Sequence, residues 1–189
     1  MEEIRPALLI MDVQNEIVQR FADRPELIEA FPRALDAARR AAIEVIFVRV
    51  AFREGYPEVS ARNKSFSTIS ERRAFTASDT STQVHPSVAP RPGEIMVTKL
   101  RVSAFAGSDL EVILRSRRID TLVLSGIATS GVVLSTLRAA ADMDYRLVVL
   151  SDACVDVDPE VHRVLMEKVF PRQAEVLTVD EWARTLPGQ

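Results

Sequence analysis

TLVLSGIATSGVVLSTLRAAADMDYRLVVLSDAC, residues 121–154, changes pattern twice along its length. A short apolar run from Thr121 to Leu124 ends on Ser125 and Gly126. Apolar positions then recur with a helical period from about Ser130, and a second apolar run begins at Leu147. The order is that of a strand, a tight turn, a helix near 130–143 and a second strand at 147–151. Strands joined by a crossover helix run parallel, and ligands on such sheets gather where strand C-terminal ends meet helix N-termini. The turn from Gly126 to Val132 is therefore the first place to look for a site. Its small residues, Gly126, Ala128, Thr129, Ser130 and Gly131, let a ligand approach the backbone, and amides at a helix start can hold developing negative charge. Any βα turn also favours small residues and N-caps, so this turn alone defines no chemistry.

Composition narrows the class. With 189 residues, 47% apolar and 27% charged, the chain has ordinary globular make-up and the length for one domain, 1–189, with a full core. The net charge of −3 carries no basic stripe, and the arginines are scattered among acids, which argues against a nucleic-acid partner. MEEIRP at the amino terminus is acidic where a secretory signal is basic, and no apolar run reaches the length of a membrane span, so a cytoplasmic protein without a membrane partner is expected. The lone cysteine, Cys154, supplies neither an internal disulfide nor a multi-cysteine metal site.

Outward from the central stretch, ALLIMDV after Pro6 reads as a strand buried on both faces and ends on Asp12. Over 26–42 the apolar residues Leu27, Ile28, Phe31, Leu35, Ala38 and Ala42 follow helical spacing, and Pro32 predicts a break or a fresh start there. EVIFVRVAF is a second strand, rich in β-branched and aromatic residues. From about Arg53 to Gly93 periodicity vanishes among prolines and polar residues. A segment of that length in a compact domain is a lid or hides a short helix, for which 66–73 is the place. EIMVTK is a third strand ending on Lys99. Helices at 107–117 and 158–169, a strand at EVLTV and a last short helix from Asp180 complete a doubly wound α/β fold, a three-layer α/β/α arrangement on a mainly parallel six-stranded sheet.

Parallel strands bring Asp12, Lys99 and the Gly126 turn to one edge of that sheet. A carboxylate and an ammonium facing each other in a partly buried cleft hold each other charged, and either can exchange protons with a substrate. Each residue alone would also suit a turn or a solvated strand end, and their coincidence at one edge is what favours a site.

LLIMDVQNEI around Asp12, VTKLRVSAF around Lys99 and GIATSGVVLSTLRAAADMDYRLVVLSDA, taken in that order, resemble the isochorismatase-like hydrolase superfamily, which includes nicotinamidases and related amidohydrolases. The resemblance runs over nearly the whole chain and implies a Rossmann-like fold. It also implies a catalytic set of Asp, Lys and Cys, of which Asp12 and Lys99 match the first two. The family's cysteine falls six residues after the turn glycine, and that position here is Val132. A valine cannot attack a carbonyl, so the route through a thioester is closed at this position. Cys154 lies 22 positions downstream and reads as a buried thiol. Thr129 and Ser130 offer hydroxyls without a histidine nearby in sequence, since His85 falls in the lid and His162 in a late helix.

Nicotinamidase-like members carry an Asp and histidines after the second strand, where this chain has Arg53, Glu54, Tyr56 and Glu58, so no metal and no cofactor are expected. The isochorismatases lack the cysteine but keep the Asp and the Lys, and in them the Asp protonates a vinyl ether that water then hydrolyses. Two readings result. The first is a hydrolase of a small molecule that needs no cysteine. In it Asp12 is general acid or base, Lys99 its electrostatic partner, Gln14 a positioning or substrate-binding residue beside Asn15, and Ser130, Gly131 and Val132 hold substrate. The second is a catalytically silent member that binds a small ligand or a protein through the same pocket. Arg53, Arg62, Arg72 and Arg73 of the lid suggest an acidic group on the ligand, and the resemblance implies a homo-oligomer, dimer or tetramer.

Overall fold

A computed structural model describes residues 4–187. Its sheet has six strands in the order β3-β2-β1-β4-β5-β6, formed by Pro6–Met11 (β1), Glu44–Val50 (β2), Ile95–Lys99 (β3), Thr121–Ile127 (β4), Arg146–Val155 (β5) and Glu175–Leu177 (β6). Every pairing is parallel. The near-continuous apolarity of PALLIM is what a central strand covered on both faces requires. Alternate residues serve the two layers. Leu8 and Ile10 join Val45, Phe47 and Val123 in one core, whereas Ala7, Leu9 and Met11 join Ile46, Val48 and Leu124 in the other.

Among the described residues seven α-helices flank the sheet: α1 (Asn15–Gln19), α2 (Ala30–Arg40), α3 (Lys64–Glu71), α4 (Leu110–Ser116), α5 (Leu134–Asp142), α6 (Pro159–Val164) and α7 (Val179–Arg184). Phe31 and Leu35 of α2 and Trp182 of α7 fill the first core, and Leu110 and Leu114 of α4 with Leu137 and Ala140 of α5 fill the second. Full burial of each such side chain is worth about 1.5–3 kcal/mol, and removal of this surface from water holds the layers together. No helix among the described residues is long and apolar enough to cross a membrane.

Several boundaries differ from the sequence reading. Pro32 does not break α2, because it is the third residue of a helix that starts at Ala30, and the first turn needs no N–H donors. A 3-10 turn, Pro25–Ile28, absorbs the preceding apolar positions. The last helix starts ahead of Asp180: the Thr178 hydroxyl accepts from the Glu181 amide and the Glu181 carboxylate accepts from the Thr178 amide, closing a capping box. β5 extends to Val155 through a register irregularity opposite Leu124 and Gly126. The helix at 130–143 begins as a π-helical turn, Thr129–Val133.

The lid contains α3, slightly ahead of its expected place, because the Asn63 side chain caps the amides of Ser65 and Phe66. It is sewn to the protein at two places. Phe52 bridges to Thr76, and Gln14 bridges to Val84. Around the second bridge the Asn15 amide donates to Gln83 O, the Asn15 side chain donates to Thr80 O, and the His85 amide donates to Val13 O, at 2.8–3.0 Å. Phe66 packs edge-on against Phe52 with ring centroids 5.6 Å apart. The lid is thus bonded to the segment that follows Asp12.

Candidate active site

β1 connects leftward to β2 and β3, while β4 connects rightward to β5 and β6, so strand order reverses between β1 and β4. A crevice at the C-terminal ends of such a pair is where an open α/β sheet leaves room for a ligand. Asp12 follows the last residue of β1 at φ +58°, a left-handed conformation that Asp tolerates better than most side chains. Its amide donates to Val48 O at 2.8 Å, which fixes the carboxylate over the strand ends.

Lys99 ends β3, two strands from β1 with β2 between. Two inter-strand spacings are roughly 9.5 Å, a gap that a lysine can bridge to an aspartate and a shorter cation cannot. Lys99 Nζ reaches Asp12 Oδ2 at 2.9 Å and also donates to Arg101 O at 3.0 Å. Both side chains are almost completely buried, at 3% and 7% exposure. Asp12 Oδ1 is buried with no hydrogen-bond partner among the described residues. Burial pushes the Asp12 carboxyl above the ordinary carboxylate range, and the charge and hydrogen bond of Lys99 pull it part of the way back.

The pair lines a cavity of about 190 Å³. That is roughly the volume of six liquid waters and falls below the space taken by drug-sized ligands. Ala128, Gly131 and Val132 of the turn form one wall, so the structure brings the strand ends and the turn together as expected. Val132 presents a hydrocarbon surface to the cavity that Asp12 and Lys99 share. The peptide between Ile127 and Ala128 is cis.

Three expectations need correction. Gln14 is fully buried, and its amide group donates to Val50 O and Thr82 O while accepting from the Val50 amide, at 2.8–3.0 Å. All its polar atoms hold the lid to β2, and none is left for a substrate. Ser130 does not present a free amide, because the Asp156 carboxylate accepts from it at 2.7 Å, and the Gly131 amide donates to Ala128 O at 3.1 Å. Arg53, Arg62, Arg72 and Arg73 lie outside the cavity. Arg53 pairs with Glu58 at 2.6 Å, and Arg73 lines a separate hollow beside Tyr56 and Asp79. The lid contributes Phe66 to the cavity instead.

Sequence reasoning missed two residues here, Asp156 and Arg20, and one contact, that of His162 with Thr129. Asp156, just beyond the extended end of β5, anchors the turn through the Ser130 amide. His162 of α6 stands 2.9 Å from the Thr129 hydroxyl, a contact 33 residues apart in the chain. Burial lowers the His162 pKa, with Asp156 opposing, and Thr129 is fully buried outside the cavity lining, so this bond ties α6 to the turn. Arg20, immediately after α1, lines the cavity. Cys154 is buried with its thiol pushed far up by desolvation, and its Sγ faces Leu124 O at 3.8 Å. No three His, Cys, Asp or Glu side chains among the described residues gather in a metal-binding group.

The fold is thus a doubly wound parallel sheet with a buried Asp-Lys pair at its switch point. The chain belongs to the isochorismatase family of hydrolases, whose domain model, "Isochorismatase domain", matches residues 6–181. It is 32% identical over 183 residues to the ureidoacrylate amidohydrolase RutB of Stutzerimonas stutzeri, covering 85% of this chain and 73% of that one. The isochorismatase family protein YecD of Escherichia coli O157:H7 is 34% identical over 180 residues, covering 93% of each chain. Among solved structures, N-carbamoylsarcosine amidase from Thermoplasma acidophilum superposes with a TM-score of 0.77 at 25% identity, covering 94% of this chain and 98% of that one.

Proposed function

We propose that this hydrolase acts on a small molecule without a cysteine nucleophile, Asp12 carrying the proton and Lys99 setting its charge. The observation that carries the reading is the division of labour in the Asp12 carboxyl: Oδ2 is held by Lys99 at 2.9 Å, and Oδ1 is buried with no hydrogen-bond partner among the described residues. A carboxyl whose pKa is raised by burial keeps its proton to higher pH, which suits a general acid.

On a vinyl ether, protonated Asp12 delivers its proton to the alkene carbon as the C=C electron pair forms the new C–H bond. The resulting oxocarbenium ion adds water, the carboxylate takes the proton released, and the hemiketal collapses to a carbonyl compound and an alcohol. Lys99 stabilises the carboxylate while it is charged. On an amide the same group in its basic form would deprotonate the attacking water and return the proton to the departing nitrogen. The names of the amidohydrolase relatives keep amides within the substrate range to be tested, and Val132 supports a route in which water attacks directly.

The test is a panel of vinyl ethers, amides and esters on wild type and Asp12→Asn. Turnover of at least one class, falling about 10²-fold or more in Asp12→Asn, is expected. Unchanged turnover in that variant overturns the assignment. Val132 also supports a second reading, a silent member that binds through the same pocket. Turnover of no class, with tight retention of an untransformed metabolite, would establish it. Assembly into a dimer or tetramer, implied by the family resemblance, is part of the proposal, and a single 21.0 kDa species at micromolar concentration in sedimentation would overturn it.

A further inference from the structure

The charge of the cavity is decided by one residue. Asp12 and Lys99 neutralise each other at 2.9 Å, and apart from them and Arg20 the walls are apolar side chains and the Gly131 backbone, with Ile17, Val50, Phe66 and Val102 among the lining. Arg20 is therefore the one lining group whose charge is not cancelled within the cavity. It follows α1 directly, and Ile17, Arg20 and Phe21, at positions i, i+3 and i+4, share the face of that turn that lines the cavity. The local periodicity thus aims the Arg20 stem where Ile17 and Phe21 point.

Six other arginines have close carboxylate partners. Arg33, Arg39, Arg53, Arg115, Arg117 and Arg163 each hold an Asp or Glu within 3.3 Å. Arg20 makes no ion pair or side-chain hydrogen bond among the described residues, although Glu16 stands one turn away on the same helix. A guanidinium offers a planar fork matched to two carboxylate oxygens.

We infer that Arg20 anchors a carboxylate on the substrate and so sets this enzyme's preference for small hydrolysable molecules that carry one carboxylate over their neutral counterparts. The inference rests on the reading that this cavity is the substrate site. It replaces the lid arginines as the source of an acidic preference, since none of them lines the cavity. The carboxylate would sit at the mouth, on Arg20, and the apolar remainder would extend along Ile17, Val50 and Val132 toward Asp12.

Equilibrium binding of crotonate and crotonamide, which share a skeleton and differ in charge, tests it by calorimetry without requiring turnover. A failure here is therefore distinguishable from a failure of the proton-transfer role of Asp12. Wild type is expected to bind crotonate about tenfold or more tightly than crotonamide, the ratio weakening with salt. Arg20→Met should bring the ratio close to one with crotonamide affinity unchanged, and Arg20→Lys should restore part of it. Arg20 is exposed, so both variants should melt with wild type. Equal binding of the two probes by wild type, no binding of crotonate at tens of millimolar on the scale of weak ligands, or a preference that survives in Arg20→Met would overturn the inference. The last result would assign anion recognition to Lys99.

Discussion

Replacing Lys99 by methionine, which keeps most of the stem and removes the charge, should destabilise the protein in a manner that depends on pH. Among the described residues the Lys99 ammonium is the one hydrogen-bond partner of the Asp12 carboxylate, whose second oxygen has none. Leaving one member of a buried ion pair without the other costs about 3–5 kcal/mol. The protein can escape part of this by keeping Asp12 protonated. Desolvation already raises that carboxyl above its unfolded value of 3.8, and loss of the two opposing Lys99 contributions raises it further. Between 3.8 and the folded pKa the native state holds a proton that the unfolded state releases, so stability falls as pH rises, by about 1.4 kcal/mol per unit while both conditions hold. The gap between wild type and Lys99→Met should be small near pH 4 and reach about 4 kcal/mol near neutrality. Asp12→Asn strands the buried ammonium and should cost a similar amount. The double variant Asp12→Asn/Lys99→Met removes both charges and should recover to wild-type stability or exceed it. Urea denaturation of the four proteins at several pH values reads this directly. A gap that does not widen with pH, or a double variant no better than the single ones, would refute the reasoning.

Native Cys154 should resist iodoacetamide, because its thiol is buried and held protonated, and Cys154→Ala should leave turnover intact; rapid alkylation accompanied by loss of activity would contradict the assignment. Gln14→Leu should lower stability by about 2–3 kcal/mol, since main-chain groups of Val50 and Thr82 lose their side-chain partner, and hydrogen exchange should show faster exchange in 76–85 than in β4. Gly126→Ala should cost about 1–3 kcal/mol, because a Cβ would stand 2.6 Å from Met11 O and must push apart the strands beside Asp12; thermal melts together with turnover would check both effects. Val132→Cys should place a thiol in the cavity beside Lys99, where its pKa falls below that of a free cysteine, and confer weak esterase or amidase activity sensitive to alkylation; an unreactive thiol would show that the wall is closed to substrate.

Much of the fold was readable because β1, β2 and β4 are near-continuous apolar runs, the signature of strands covered on both faces. The ends of β1, β3 and β4 named Asp12, Lys99 and the Gly126 turn. What could not be read depends on distances between segments far apart in the chain. Gln14 stands two residues from Asp12 and looks equally suited to substrate or scaffold, and only the carbonyl of Thr82, 68 residues away, decides between them. Asp156 escaped notice because it is lifted over the turn by the irregularity in β5, which no local pattern announces. Arg20 follows a helix of five residues, too short for apolar periodicity to register, and the lid arginines drew attention because polar loops look functional.

The seam between lid and β1 has a bearing on how such proteins can diverge. Thr80, Thr82 and Gln83 offer carbonyls to Asn15 and Gln14, and Val13 offers one to His85, so two segments some seventy residues apart hold complementary halves of one joint. A loop transplanted from a relative would have to arrive with matching carbonyl positions, or residues 14 and 15 would have to travel with it. The two segments are therefore tied to change together: altering the loop alone disturbs the backbone that carries Asp12, and drift at 14 or 15 unfastens the segment that brings Phe66 to the cavity.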